Sequence, residues 1–417
     1  MKLRIHNKLY DLSNFNHPGG SIIKTHEWTE DSNIDATNVF LALHARSKPA
    51  LSMLSTLPYT LVSDTRESDT RESDTRESNT RESDTRESNT RSTIESDFEK
   101  LNRQLIKDGY YKPSYPHIVQ RIGTNAGIWV VAGLFLYNNY MITSITLMAI
   151  NYVQCGWIQH ECGHKSFTGD MKVDNFLQMI YLNIFMGGNY RFWNDQHFAH
   201  HANTQNIKYD KDLKTHPLVA FNIKALDKNK HTFFTRHQHL LYWNVINPLV
   251  WFVWSFMSYP MFAYKKNHLL EYTTTKATSL AMYCWYFGLS GYNIKQSIVL
   301  FHIVSLFGTM ILLATFTVSH TTTEAYTENN GWVIPSADHT INIYDHPVTN
   351  WWMGYLNFQI EHHLFPTMPQ FRQNKVGRDY VKPFFNKHDL VYNEKSFVEA
   401  NLDVYKNLKT IAKSHSC

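Results

Sequence analysis

Histidine is the residue type that sets this sequence apart, with 23 copies among 417 residues, several of them in clusters. His160-Glu161-Cys162-Gly163-His164 puts two imidazoles at positions i and i+4, on one helix face, where both can grip one metal ion. His197-Phe198-Ala199-His200-His201 repeats the device with spacings of three and four. Gln359-Ile360-Glu361-His362-His363 forms a third cluster, and His320 stands alone at the end of an apolar segment. Together they offer eight imidazoles: His160, His164, His197, His200, His201, His320, His362 and His363. A tetrahedral zinc site takes at most four ligands, so eight imply two metal ions. Imidazole without a thiolate cluster suits iron, zinc or copper. All-histidine ligation leaves coordination positions where oxygen can bind.

Each cluster also has a plainer reading, because a lone histidine near a membrane surface is usually just an interfacial residue. Three clusters, each beside an apolar segment on one expected side, argue jointly against it. His160 to His164 also spells the H-E-x-x-H pattern of zinc proteases, in which Glu161 would be the general base. That reading leaves His197, His200, His201, His362 and His363 without a task.

A separate pair of histidines lies near the start. His17-Pro18-Gly19-Gly20 follows Tyr10-Asp11-Leu12 and Phe15. Pro-Gly-Gly makes a tight turn that can present His17 at a fixed angle. His44 comes 27 residues later, after Asp35-Ala36-Thr37 and Phe40, with Ile22, Ile23, Trp28, Ile34, Val39 and Leu43 between. Two histidines facing one another across an apolar pocket can ligate a haem iron axially, which favours electron transfer over oxygen chemistry. His6 and His26 read as surface residues.

The elements that must position these groups divide the chain into three parts. Residues 1–61 read as a small soluble domain. From Ser63 to Ser92 a five-residue unit of the form SDTRE repeats six times without an apolar residue. It cannot bury anything, and Ser, Asp, Asn and Thr are poor helix-interior residues, so 62–92 is expected to be a flexible tether that holds two domains at high effective concentration. Residues 93–417 carry the clusters. There 93–121 reads as a polar helix and a Pro-containing entry segment. Apolar segments follow at 123–138 and 141–159, joined by a turn at Asn138–Asn139, then at 176–188, 243–264, 277–291 and 298–319. A span needs about 20 apolar residues, so 176–188 is too short.

Topology follows from the clusters' need to share one side. The first ten residues carry charges and no apolar core, so no cleavable signal peptide is expected and the N-terminal domain should be cytosolic. Two spans return the chain to that side at His160. Arg236 and Lys265–Lys266 flank 243–264 and keep both its ends cytosolic, which makes it interfacial or re-entrant. The second spanning pair is then 277–291 and 298–319. Charged residues at 18% and aromatics at 14% lean toward a membrane protein. A net charge of +4 is too mild to argue for nucleic acid. Lys and His crowd 205–240, a stretch that suits anionic lipid or an acidic substrate, or equally a solvated loop. Cys155, Cys162, Cys284 and Cys417 are too dispersed for a disulfide framework, which fits a reducing compartment.

The three boxes, in order and spacing, resemble those of membrane fatty-acid desaturases: HECGH, HFAHH and QIEHH. Gln359, at the head of the third, resembles the front-end subgroup, whose members insert a double bond between an existing one and the carboxyl end. The resemblance covers residues 93–390. It implies an all-α membrane domain of about four spanning helices with a cytosolic di-iron cap. It also implies that two iron ions are held by His160, His164, His197, His200, His201, His362 and His363, with His320 as a further ligand. Gln359 would be a ligand or lie just behind one. No catalytic residue beyond the metal ligands is implied. HPGG with Asp35-Ala36-Thr37, Phe40 and His44 resembles the cytochrome b5 haem domain over residues 3–58, a small α+β fold in which His17 and His44 would be the axial ligands of haem b. So few residues precede Tyr10 that the usual first strand and helix are expected to be missing or reduced.

The fusion makes chemical sense. Removing two hydrogens from unactivated methylenes requires activated molecular oxygen and two outside electrons, which a tethered haem domain can carry singly from a cytochrome b5 reductase. The resemblance thus implies a multi-pass protein of endoplasmic-reticulum type, acting on polyunsaturated fatty acyl chains carried on CoA or phospholipid. Trp157, Trp193, Trp351 and Trp352 would line an acyl tunnel or simply pack. A sphingolipid long-chain-base desaturase, a fatty-acyl hydroxylase, a zinc protease and a membrane electron carrier with a dead second metal site are the competing readings.

Overall fold

The computed structural model describes residues 1–30, 34–44, 47–62, 78–224, 226, 231–327 and 331–414. Cys417 and the repeat residues 63–77 lie outside them.

The chain opens with an antiparallel hairpin, β1 (Lys2–Ile5) and β2 (Lys8–Asp11), closed by a tight turn in which His6 takes φ 55°. Four residues before the turn suffice for a short strand that pairs Lys2 with Asp11 and Ile5 with Lys8, and no helix precedes Tyr10. A 3-10 turn over Gly20–His26 follows, then α1 (Thr37–His44) and α2 (Lys48–Thr56). Strand β3 (Tyr59–Leu61) returns to the free edge of β2. Leu3, Ile5 and Tyr10 from the sheet, Leu12 just after it, and Val39 and Ala42 from α1 are buried together. His26, expected at the surface, is buried as well.

Helix α3 (Ser78–Lys107) begins inside the repeat, so 78–92 is helical where a flexible tether was expected. The cause lies further along. Ile94, Phe98, Leu101 and Leu105, spaced four, three and four, pack one face of α3 into the core. A helix with a fixed nucleus extends at little cost per added residue, even through poor helix formers. Phe98 stacks on Phe365 at 5.2 Å, and both are fully buried, each worth about 1.5–3 kcal/mol.

The apolar segments make a helical bundle. Helix α4 (Tyr115–Tyr137) starts at a Ser114 cap and ends at the expected Asn138–Asn139 turn, where Asn139 takes φ 65°. Helix α5 (Met141–Gly163) returns beside it and ends in the first histidine cluster. α6 (Met171–Gln178) runs into a π-helical turn over Met179–Phe185, and α7 (Tyr190–Ala202) carries the second cluster. α8 (Phe233–Leu241), α9 (Asn247–Val253) and α10 (Tyr259–Lys265) form one rod broken by π turns at Tyr242–Ile246 and Trp254–Ser258. Pro248 and Pro260, which cannot donate a backbone hydrogen bond, sit just after those breaks. α11 (Leu269–Gly288) and α12 (Ile294–Phe316) complete the bundle. Ala132, Leu136, Met148, Tyr283, Phe287, Phe301 and Val304 fill the space between α4, α5, α11 and α12.

Among the described residues, four helical segments are long and apolar enough to cross a membrane: Tyr115–Tyr137, Met141–Gly163, Phe233–Lys265 and Ile294–Ser319. One of the four differs from the expected set: 233–265 stands where 277–291 was expected. By composition the rod 233–265 qualifies and α11 does not, because α11 carries Glu271, Lys276 and four threonines. By packing it is α11 that joins the bundle core, and Thr273 and Thr278 turn their hydroxyls back to helix carbonyls at 2.9 Å. Val130, Leu134, Val299 and Phe307 point outward, an apolar surface that a bilayer would cover.

Beyond α12 the chain builds a cap. It runs through α13 (Val333–Asp338), β4 (Asn342–Ile343), α14 (Pro347–Trp352), α15 (Gln359–Leu364), α16 (Gln373–Val376) and α17 (Lys382–Lys387). Strand β5 (Glu394–Lys395) pairs in parallel with β4, and α18 (Phe397–Lys413), opened by a Ser396–Glu399 capping box, packs on α8.

Candidate di-metal centre

The ends of α5, α7, α12 and α15 converge at one end of the bundle, and each brings its histidines. Two groups result. Candidate ligand atoms of His160, His164, His197, His201 and His362 lie within 4.8 Å of one another, and so do those of His200, His320 and His363. All eight histidines expected to bind metal are therefore in one of the two groups. The 197–201 cluster is split between them: on the first turn of separation His197 and His201 face one group, while His200 turns to the other. The groups adjoin through His201 and His363, whose rings stack at 4.2 Å.

The nitrogen positions fit metal ions. His164 Nε2 lies 2.8 Å from His197 Nε2, which lies 3.0 Å from His201 Nε2. His363 Nε2 lies 3.1 Å from His320 Nε2. Two nitrogens each about 2.1 Å from one ion at right angles are about 3.0 Å apart. His160 Nε2 and His362 Nε2 are buried without a hydrogen-bond partner among the described atoms. Burial pushes the imidazoles of His164, His197, His201, His362 and His363 well below the usual histidine range, which keeps them in the neutral form that donates a lone pair.

The opposite ring nitrogens are held from behind. His320 Nδ1 donates to the His339 carbonyl at 2.9 Å. His200 Nδ1 donates to Asp210 Oδ2 at 3.0 Å. For both rings this fixes the tautomer that leaves Nε2 facing the cluster. Burial pulls His200 down, but the Asp210 and Asp212 carboxylates outweigh it and raise it to about 9, so without a metal its Nε2 carries a proton that a metal ion must displace. Thr204 Oγ1 meets His363 Nδ1 at 2.9 Å, and the Gln370 amide meets His160 Nδ1 at 2.7 Å. Gln359 donates its amide to Leu356 O at 2.8 Å, which turns its Oε1 to within 3.2 Å of His320 Nε2.

Asp210, Thr204, Gln370, His339 and His117 were not singled out by the sequence. The short i, i+10 step from His200 to Asp210 was the one available signal, and it looks like any charged loop. His117, Arg121 and Asn125 form a polar stripe on α4 against α5. His117 Nε2 lies 3.3 Å from Glu161 Oε2, Arg121 donates to Gln154 at 3.1 Å, and Asn151 donates to Asn125 O at 2.7 Å. Glu161 accepts the Gln370 backbone N–H on its other oxygen at 3.0 Å. Both oxygens of its carboxylate are thus taken up by His117 and the Gln370 backbone, and it is not placed as the base of a zinc hydrolase.

Two aromatics wall the first group. Trp193 stacks on His197 at 4.1 Å, and Phe316 lies 6.2 Å from His160. Trp157 is fully buried against Phe316 and donates to Trp352 O at 2.8 Å, so it packs behind the wall. Trp351 is partly exposed, on α14.

The N-terminal histidines also face each other. The rings of His17 and His44 are 6.1 Å apart between centroids, tilted by 46°. His17 Nδ1 accepts the Gly19 N–H at 3.1 Å, a turn completed by Gly20 at φ 73°. Phe15 flanks His17 and Phe40 flanks His44. Burial lowers His44 to about 4.

A sequence model of the fatty acid desaturase family matches residues 138–396. The acyl-lipid (8-3)-desaturase of Rebecca salina is 32% identical over 99% of this chain and 91% of its own length. That of a Thraustochytrium species is 31% identical over 97% and 91%. The Delta(6)-fatty-acid desaturase fat-3 of Caenorhabditis elegans is 29% identical over 94% and 92%.

Proposed function

The chain belongs to the fatty acid desaturase family and is an oxidoreductase of that kind, and from this premise we propose that it is a front-end enzyme. It introduces a delta-5- or delta-6-type double bond, on the carboxyl side of an existing one, in polyunsaturated fatty acyl chains. The observation that carries the reading is the pair of adjoining imidazole groups of five and three histidines, with the Gln359 amide oxygen turned onto the smaller. Relatives named for (8-3) and Delta(6) desaturation support the regiochemistry.

His160, His164, His197, His201 and His362 would hold one iron, and His200, His320 and His363 the other, with Gln359 Oε1 available as a further donor. Such a pair of irons supplies oxygen activation strong enough to remove hydrogen from an unactivated methylene. The protein's own share is positional. Asp210 and the His339 carbonyl keep the Nδ1 protons of His200 and His320, so their Nε2 lone pairs stay aimed at the centre. Trp193 and Phe316 exclude water on the side of His160 and give an acyl chain an apolar wall to lie against. The acyl group arrives on CoA or a phospholipid, and molecular oxygen is the other substrate.

His17 and His44 of the N-terminal unit would hold haem b between them, and the haem would supply electrons one at a time. The two rings face each other at 6.1 Å between centroids, flanked by Phe15 and Phe40, an arrangement that suits a metal-centred group held between them. A cytochrome b5 reductase reloads the haem. The four apolar helices are compatible with integration in a membrane; on this reading the membrane is of endoplasmic-reticulum type, and the histidine centre and N-terminal unit lie in the cytosol.

Expression in a host without polyunsaturated acids, fed candidate acids, tests the reading. Mass spectrometry should find a new double bond between an existing one and the carboxyl group. A bond on the methyl side, a hydroxylated product or a desaturated sphingoid base would overturn it.

A further inference from the structure

The helix that carries His44 reaches the histidine centre through one short stretch of chain. Ala42, two residues before His44, accepts a hydrogen bond on its carbonyl oxygen from Thr367 Oγ1 at 3.1 Å. Thr367 lies four residues beyond His363. Three residues further on, the Gln370 amide meets His160 Nδ1 at 2.7 Å, and the Gln370 backbone N–H is anchored on Glu161. Thr367, Met368 and Gln370 are all buried. Val39 and Ala42 of α1 share one apolar core with Leu364, Phe365 and Met368.

Three more contacts hold the N-terminal unit in place. Asn38 on α1 donates to Glu95 Oε2 at 2.6 Å, and Glu95 Oε1 accepts the Trp332 and Val333 N–H groups at 2.7 and 2.9 Å. Asn203, just past α7, donates to Thr25 Oγ1 at 3.2 Å. His6 Nδ1 lies 3.6 Å from Glu99 Oε2. Swinging the unit away would expose the shared apolar core to water and break these hydrogen bonds. A shuttle that undocks for every electron is a poor fit to such an interface.

We propose that the N-terminal unit works from this docked position, and that electrons cross from α1 to the histidine centre along Thr367–Gln370, with Thr367 as the coupling residue. The inference rests on the haem reading above. In each crossing a ferrous haem gives up one electron and becomes ferric, and one ferric ion of the centre becomes ferrous; an external flavoprotein reductase restores the haem. Two crossings supply one turnover.

The test uses the full chain in lipid nanodiscs, with haem reduced chemically under anaerobic conditions and then mixed with oxygen and acyl substrate. Haem absorbance reports substrate-triggered reoxidation. Thr367→Val should keep the parent's haem spectrum and iron content and reoxidise several-fold more slowly. Reoxidation at the parent rate overturns the inference. In a second protein, His6→Cys and Glu99→Cys are bridged by a short bismaleimide, which ties the unit to α3. The bridged protein should reoxidise as fast as the unbridged one, because nothing needs to move. Loss of reoxidation on bridging overturns the inference. A parent without haem absorbance overturns the haem reading, and this inference with it. A parent that reoxidises beside an unaffected Thr367→Val variant overturns the inference alone.

Discussion

Asp210 holds His200 from outside every histidine box: its Oδ2 lies 3.0 Å from the ring Nδ1, and both groups are buried. The same oxygen accepts the Gln205 backbone N–H at 2.7 Å, and Oδ1 accepts that of Asp212 at 2.9 Å. The carboxylate is therefore fixed before any metal arrives, and it fixes the imidazole in turn. His200 is the one member of the second cluster that serves the smaller group, so the arrangement of that group depends on a loop residue ten positions away.

Asp210→Asn should weaken metal binding in the smaller group by about 10- to 100-fold, the usual effect of losing a carboxylate behind a ligating imidazole. The larger group shares no hydrogen bond with Asp210. Iron titration of the metal-free protein should then show one tight and one weakened site, where the parent shows two tight ones.

Gly163 has no room for a side chain. A Cβ there would run into the ring of Trp193 and come within 2.8 Å of the Gln178 amide. Gly163→Ala should displace Trp193 from its stack on His197, cost about 1–3 kcal/mol of stability as overpacking does, and reduce bound iron. Gly127, on α4, faces open space. Gly127→Ala should leave iron content alone and stabilise its helix by about 0.5–1 kcal/mol. Thermal unfolding and iron analysis of the two variants check the contrast.

His26 is buried, and burial lowers it to about 4, while an unfolded histidine titrates near 6.5. Below about 6.5 the unfolded chain binds the proton more readily, so stability falls as pH drops toward 4 and is fully present above 6.5. His26→Gln removes this dependence. Limited proteolysis of the N-terminal unit at pH 7, 5 and 4 should show the parent loosening with acid more steeply than the variant.

The boxes were legible because helical spacing of three and four places imidazoles on one face with no help from the rest of the fold. The division into five and three was not, since it depends on how α7 is rotated against α5 and α15. Partners such as Asp210, Thr204 and Gln370 are ordinary polar residues until the fold brings them behind a ring. Two expectations failed for a shared reason, the precedence of packing over local composition. The repeat's last three units become helix because Ile94 and Phe98 anchor α3. His26 is covered because the 3-10 turn is pressed against α7. The choice between 243–264 and 277–291 turned on composition against packing, which a sequence weighs only by charge and length.

Glu95 joins α1, α3 and α13 through three hydrogen bonds. Glu95→Ala would leave the N–H groups of Trp332 and Val333 buried without partners, at a cost of about 2–5 kcal/mol. Differential scanning calorimetry should register the loss. Protease sensitivity should rise first at the junction of the N-terminal unit and the cap, since Asn38 loses its anchor at the same time.

The claim on which everything else depends is that eight imidazoles hold two irons. Purified protein analysed for iron, zinc and copper, alongside a pyridine haemochrome assay, tests it directly. Two irons per chain beyond haem are predicted, one for each histidine group, falling on His362→Ala substitution without change in the haem assay. Zinc in place of iron, or a single non-haem iron in the parent protein, would contradict the account.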